Sequence, residues 1–99
     1  MLYVILGHDA PGALEIRRRV RSRHLERINA LAAAGRVAVA GPCPAVDSPD
    51  PGSAGFSGSL IVAEFASLQA ARDWIDGDPY VTEGVFDSVE VRPFVRILP

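Results

Sequence analysis

The chain has 99 residues, 48% of them hydrophobic, with ten basic residues against twelve acidic ones and a formal net charge of −2. That length suits one domain, residues 1–99, around a small core, and the slight acidity argues against the broad positive field that non-specific nucleic-acid binding needs. All ten basic residues are Arg, so Schiff-base chemistry is excluded; Cys43 is the lone cysteine, so no internal disulfide forms; and no apolar run approaches the ~20 residues that span a bilayer.

The start, MLYVILGHD, lacks a basic leader, so a cytoplasmic protein is expected. Residues 2–6 form a short apolar run closed by Gly7 and predict a buried strand. Residues 13–34 are rich in Ala, Leu, Arg and Glu, hold no Pro or Gly, and stop at Gly35, which predicts a long helix with a glycine cap. Its inward stripe is expected to gather Leu14, Val20 or Arg21, His24, Leu25, Ile28, Leu31 and Ala32, with Arg18, Arg19, Arg23 and Glu26 in solvent.

A second strand is expected at residues 37–40. Residues 41–58 hold eight of the chain's seventeen Gly and Pro residues and read as a long loop. A third strand follows at 59–65. Ser67 is a good N-cap for a second helix over 68–76 with Trp74 and Ile75 inward, broken by Gly77, Asp78 and Pro79. A short turn or helix at 80–83 precedes a last strand at 88–98, where Pro93 requires an edge or a bulge. Strand, helix, strand, strand, helix, strand is the split βαβ order of an α+β, ferredoxin-like domain: a four-stranded antiparallel sheet with both helices on one face. The other face needs a cover, and in a chain this small a second copy is the expected partner.

Arg17, Arg21 and His24 stand four and three apart and share one side of the first helix with Ile28 and Leu31. Imidazole both accepts and donates protons near neutral pH, so His24 is the candidate for proton transfer, and the two guanidinium groups suit a carboxylate, phenolate or enolate. Asp78 follows the second helix at an end of the sheet, where a carboxylate beside His24 would fix its tautomer; equally, Asp before Pro is common turn chemistry. His8 and His24 lack the ligand spacing of a zinc site, and no metal or other cofactor is expected. Cys43, between two prolines, has no base at a matching position.

The segments MLYVILGHD, VRSRHLERI, GRVAVAGPCPAVDSPDPGSAGFSGS, AEFASLQAARDW and DPYVTEGVFDSVEVRPF resemble the YciI family over essentially the whole chain. The resemblance implies a dimeric α+β barrel and a pocket with a His and Asp pair, here His24 and Asp78. One branch of the family is associated with dehydrochlorination of an aromatic ring. At position 8, where an amide such as Gln is expected, this chain has His8, which leaves open a second imidazole at the pocket rim. The expected function is cofactor-independent proton transfer of lyase, isomerase or dehydrochlorinase type on a small anionic or cyclic substrate. His24 and Asp78 are the catalytic candidates, and Arg17, Arg21, Pro42, Phe56 and Tyr80 the substrate-binding ones. The alternative is a homodimeric, non-catalytic module that binds a metabolite or supports a partner, and nucleic acid is the weakest reading.

Overall fold

The computed structural model describes residues 1–99. Strand β1 (Leu2–Asp9) leads into helix α1 (Leu14–Ala33), then strands β2 (Val37–Pro44) and β3 (Phe56–Glu64), helix α2 (Leu68–Asp76), the one-turn helix α3 (Pro79–Thr82) and strand β4 (Phe86–Phe94). The sheet order is β2-β3-β1-β4 and every pairing is antiparallel, the α+β ferredoxin-like arrangement that the order of elements predicts.

Local chemistry fixes the ends of the helices. Gly35 takes φ 72°, a left-handed conformation that glycine adopts without penalty, and donates to the Ala32 carbonyl at 2.9 Å while Arg36 donates to Leu31 at 3.0 Å. Those two bonds satisfy carbonyls that the end of α1 leaves free. At the start of α2 the Ser67 hydroxyl accepts from the Ala70 N–H at 3.0 Å, as an N-cap should.

Strands β1, β2 and β3 run longer than the sequence predicts. β1 continues through Gly7 to Asp9 because Gly7 makes room for the Phe86 ring: a Cβ on Gly7 would stand 2.5 Å from Phe86 Cε2. β2 and β3 extend into the expected long loop, with Pro42 opposite Ser59 and Cys43 opposite Gly58. β2 is an edge strand, where a proline's missing N–H costs no ladder bond on the outward side. The irregular connection is thereby cut to residues 45–55, including one turn of 3-10 helix at Gly52–Ala54. β4 starts at Phe86 and ends at Phe94, earlier at both ends than expected, and as the other edge it accommodates Pro93.

Tyr3 and Ile5 of β1 and Ile61 and Ala63 of β3 point toward the helices, where Val20 and Leu31 of α1 and Ala71 and Ile75 of α2 meet them in one buried cluster. Trp74 packs on its margin, half-buried. Along α1 the buried positions are Arg17, Val20, His24 and Leu31, so Val20 rather than Arg21 carries the inward stripe and both Arg21 and Ala32 are exposed. The opposite face of the sheet bears no helix. There Val4 pairs with Val62 and Leu6 with Leu60, and Val39, beside Val62, is 55% exposed.

Candidate active site

The first helix and the one-turn helix α3 bring together His24 and Asp78, which stand 54 positions apart in the sequence. Asp78 is the N-cap of α3: its Oδ2 accepts from the Tyr80 N–H at 2.9 Å, and Pro79 occupies the first helical position, where a missing N–H costs nothing. The same Oδ2 lies 2.7 Å from His24 Nδ1, and Oδ1 accepts from Arg27 Nη1 at 3.0 Å. Asp78 is fully buried and the His24 side chain 7% exposed, so this is a shielded, charge-assisted contact. A carboxylate only accepts, which places the proton on Nδ1 and leaves the Nε2 lone pair free of any protein donor. The Tyr80 ring stacks flat on the imidazole, centroids 3.8 Å apart and planes within 6°, and Phe86 meets the other ring edge-on at 5.5 Å.

Arg27 escapes the sequence reading, although it lies three residues beyond His24 on the same side of α1. It also donates through Nη2 to the Trp74 carbonyl at 2.8 Å, tying α1 to the end of α2. Arg17, a substrate-binding candidate from the sequence, is already paired within the protein. Its Nε and Nη2 grip Asp9 at 2.8 and 2.9 Å, and Nη2 also reaches the Gly58 carbonyl at 2.9 Å and Ser59 Oγ at 2.8 Å. Its guanidinium carbon lies 4.9 Å from the ring centres of both Phe56 and Tyr80. Arg17 is thus a buried, paired charge that holds the start of α1 on the ends of β1 and β3. Arg21 makes no ion pair and stands exposed at the mouth. Burial pushes the Tyr80 phenol above its ordinary value of 10.0, against the opposing pull of Arg17 and then Arg21.

Two adjoining clefts open here. One, about 440 Å³, lies between the start of α1 and the connection from β2 to β3; the other, about 350 Å³, reaches His24 and Ser59. Arg17, Arg21, Pro42 and Tyr80 border both, and Phe56 borders the first, so the geometry gathers six of the seven residues singled out from sequence around one opening, with Asp78 behind His24.

A family model described as the YCII-related domain matches residues 1–95. The chain belongs to that family. It is 54% identical over 97 residues to Protein YciI of Escherichia coli O6:H1 (strain CFT073), covering 98% of this chain and 99% of that one. It is 48% identical, with the same coverage, to an uncharacterized protein of Haemophilus influenzae (strain Rd). Among solved structures it is similar to 5-chloro-2-hydroxyhydroquinone dehydrochlorinase (TftG) of Burkholderia phenoliruptrix AC1100 in complex with 2,5-dihydroxybenzoquinone. That match has a TM-score of 0.84 and 25% identity, and covers 96% of this chain and 94% of the other.

In this YCII domain the departure at position 8 does not add an imidazole to the opening. His8 alternates with the inward Gly7 and so points to the helix-free face, where Nε2 meets Glu90 Oε2 at 2.9 Å. That bond, and then Arg92, hold the Glu90 carboxyl below its ordinary value of 4.5. Cys43 lies on β2 and borders neither cleft. No helix is long and apolar enough to cross a membrane.

Proposed function

We propose that this protein, a single domain working as a homodimer in the cytoplasm, is an enzyme that moves a proton on a small anionic, cyclic substrate without a cofactor. What carries the reading is the 2.7 Å contact between a fully buried Asp78 and a His24 whose second nitrogen has no protein partner beside a cleft. Asp78 orients the ring and stabilises the imidazolium that forms when Nε2 accepts a proton. Arg21, with no carboxylate of its own, offsets the negative charge that develops on the substrate, and Pro42, Phe56 and Tyr80 wall the opening. Arg17 contributes through the guanidinium edge left over from Asp9.

The similarity to a dehydrochlorinase supports elimination as the reaction type. In such a step the ring first ketonises: the hydroxyl beside the C–Cl carbon loses its proton and becomes C=O while that carbon gains a proton and turns tetrahedral. Nε2 then takes the proton of the hydroxyl para to the new carbonyl, the O–H pair becomes a second C=O, the ring double bond shifts onto the former C–Cl carbon, and the C–Cl bond breaks with its pair leaving as chloride. The proton then passes from His24 to solvent. Chloride release from 5-chloro-2-hydroxyhydroquinone, alongside non-halogenated hydroxyquinones and cyclic diketones screened for isomerisation, tests this directly. Turnover of any of them should fall by about 10²–10⁴-fold in His24→Ala, the usual weight of a positioned general base. Full turnover in that variant would remove His24 from the chemistry.

The dimer is assigned to the helix-free sheet face, where half-buried Val4, Leu6 and Leu60 and the exposed Val39 surround the already buried Val62 in an apolar strip that association would cover. Sedimentation equilibrium should give twice the chain mass, and substituting Leu6 by Glu should shift it toward the monomer. One observation favours the second reading, a binding module without turnover: Asp78 is fully engaged by Arg27 and the α3 N-cap as well as by His24, as a purely structural carboxylate would be. Tight ligand binding that survives His24→Gln, with no turnover in either protein, would decide for it.

A further inference from the structure

The two clefts share a junction at Arg17, Arg21, Pro42 and Tyr80, and beyond it their chemistry diverges. The outer one carries Arg18 and Asp50 and is polar at its margin. The inner one passes His24 and continues as a groove between α1 and the edge strand β2, with Leu25 and Ile28 on the helix side and Ala40, Gly41 and Ile61 on the sheet side.

A small side chain on β2 leaves room for that groove. Ala40 stands opposite the inward Ile61 in the register, so at this position only a methyl group reaches toward α1, while Gly41, paired with Leu60, contributes backbone alone. Asn29 marks the far end. From Leu25 to Asn29 the helix rises roughly 6 Å, the reach of a chain of four or five carbons. An apolar slot continuous with a polar opening is the usual form of a small-molecule site, in which the apolar part supplies affinity and a few charges fix orientation.

We infer that the substrate is an acidic ring compound bearing an apolar arm, with the ring at Arg21, Tyr80 and His24 and the arm lying along Leu25, Ile28 and Ala40. This rests on the reading of His24 as the proton-transfer group and adds the class of molecule it acts on. Charge complementarity sets the direction: the ring's anionic oxygen meets the unpaired Arg21 at the mouth, and an apolar substituent turns inward, away from Arg18 and Asp50.

The test uses 2,5-dihydroxybenzoquinone and its 3-alkyl homologues from methyl to pentyl, with Kd from calorimetry and the His24 ring signals followed by NMR. Full burial of a methylene is worth about fourfold in affinity, and a groove open along one side about half that free energy, or roughly twofold. The pentyl compound should therefore bind about 30-fold more tightly than the parent. In Ala40→Phe, an exposed edge-strand position where a larger side chain keeps the fold (checked by thermal melting), that ratio should collapse toward one. Homologues no tighter than the parent, or a gain that persists in Ala40→Phe, overturn the groove assignment while leaving the role of His24 standing. If neither parent nor homologues bind or shift the His24 signals, the proposed site itself fails and the groove assignment falls with it.

Discussion

Replacing Asp78 by Asn probes the hub on which α1 and α3 meet. The carboxylate has three partners: His24 and the Tyr80 N–H on Oδ2, and Arg27 on Oδ1. An amide keeps one acceptor oxygen, and it is best placed where two donors converge, so the NH₂ must face Arg27. That opposition breaks the contact. Arg27 is 29% exposed and can turn to water, so the cost is set at the low end for a hydrogen bond to a charged group, about 1–2 kcal/mol. In a domain of this size each kcal/mol moves Tm by about 4–8 °C, which gives a fall of roughly 5–15 °C. Asp78→Ala should cost much more, because it also removes the α3 cap, worth about 1 kcal/mol, and strands the buried His24 Nδ1–H. The total is about 3–5 kcal/mol, the usual loss when one member of a buried ion pair is deleted, against a whole stability on the order of 5–15 kcal/mol. Thermal unfolding followed by circular dichroism ranks the two. An Ala variant no less stable than the Asn variant would refute the view of Asp78 as a three-way junction.

Other consequences follow from the same contacts. Gly7→Ala puts a methyl group 2.5 Å from the Phe86 ring that supports Tyr80, and should cost about 1–3 kcal/mol by overpacking, read as a lower denaturation midpoint; an unchanged midpoint would mean that the ring moves freely. Arg17→Met leaves Asp9, whose side chain is 5% exposed, as a buried unpaired carboxylate and should destabilise by about 3–5 kcal/mol, with Asp9→Asn in the same chain recovering part of it. In a Tyr3→Phe background the near-ultraviolet titration of Tyr80, then the sole tyrosine, should have its midpoint above 10.0, and Arg21→Gln should raise it further by removing a cation that favours the phenolate. Because the folded-state value is the higher one, the stability tied to the neutral phenol is complete below pH 10.0 and is lost as pH rises through the folded value; Tyr80→Phe should abolish that alkaline loss.

Punctuation by Ser67 and Gly77 makes α2 legible to the residue, and Gly35 marks the end of α1 to within one residue. Strands β1 and β2 extend beyond their sequence-predicted ends for a physical reason: Gly7, Pro42 and Pro44 look like breaks in a local pattern, yet a close ring and an edge position let the ladder continue through them. Periodicity placed Arg17 and His24 on one side of α1 but put Arg21 with them, although its side chain lies at the exposed flank. The meeting of His24 with Asp78 came from family resemblance rather than from spacing, since tertiary packing alone joins residues so far apart. Asp9 and Arg27, the charges that hold Arg17 and Asp78, were missed for the same reason: each partnership crosses between elements and leaves no local periodic trace.

Proton exchange in deuterated water tests the central claim most directly. Hydroxyquinones and cyclic 1,3-diketones are incubated with the wild-type protein, and loss of the exchangeable C–H signal is followed by NMR. The account predicts protein-dependent exchange for at least one compound that binds, slowed by about 10²-fold or more in His24→Gln while binding persists. Exchange at the wild-type rate in that variant, or binding without exchange across the whole series, would contradict it.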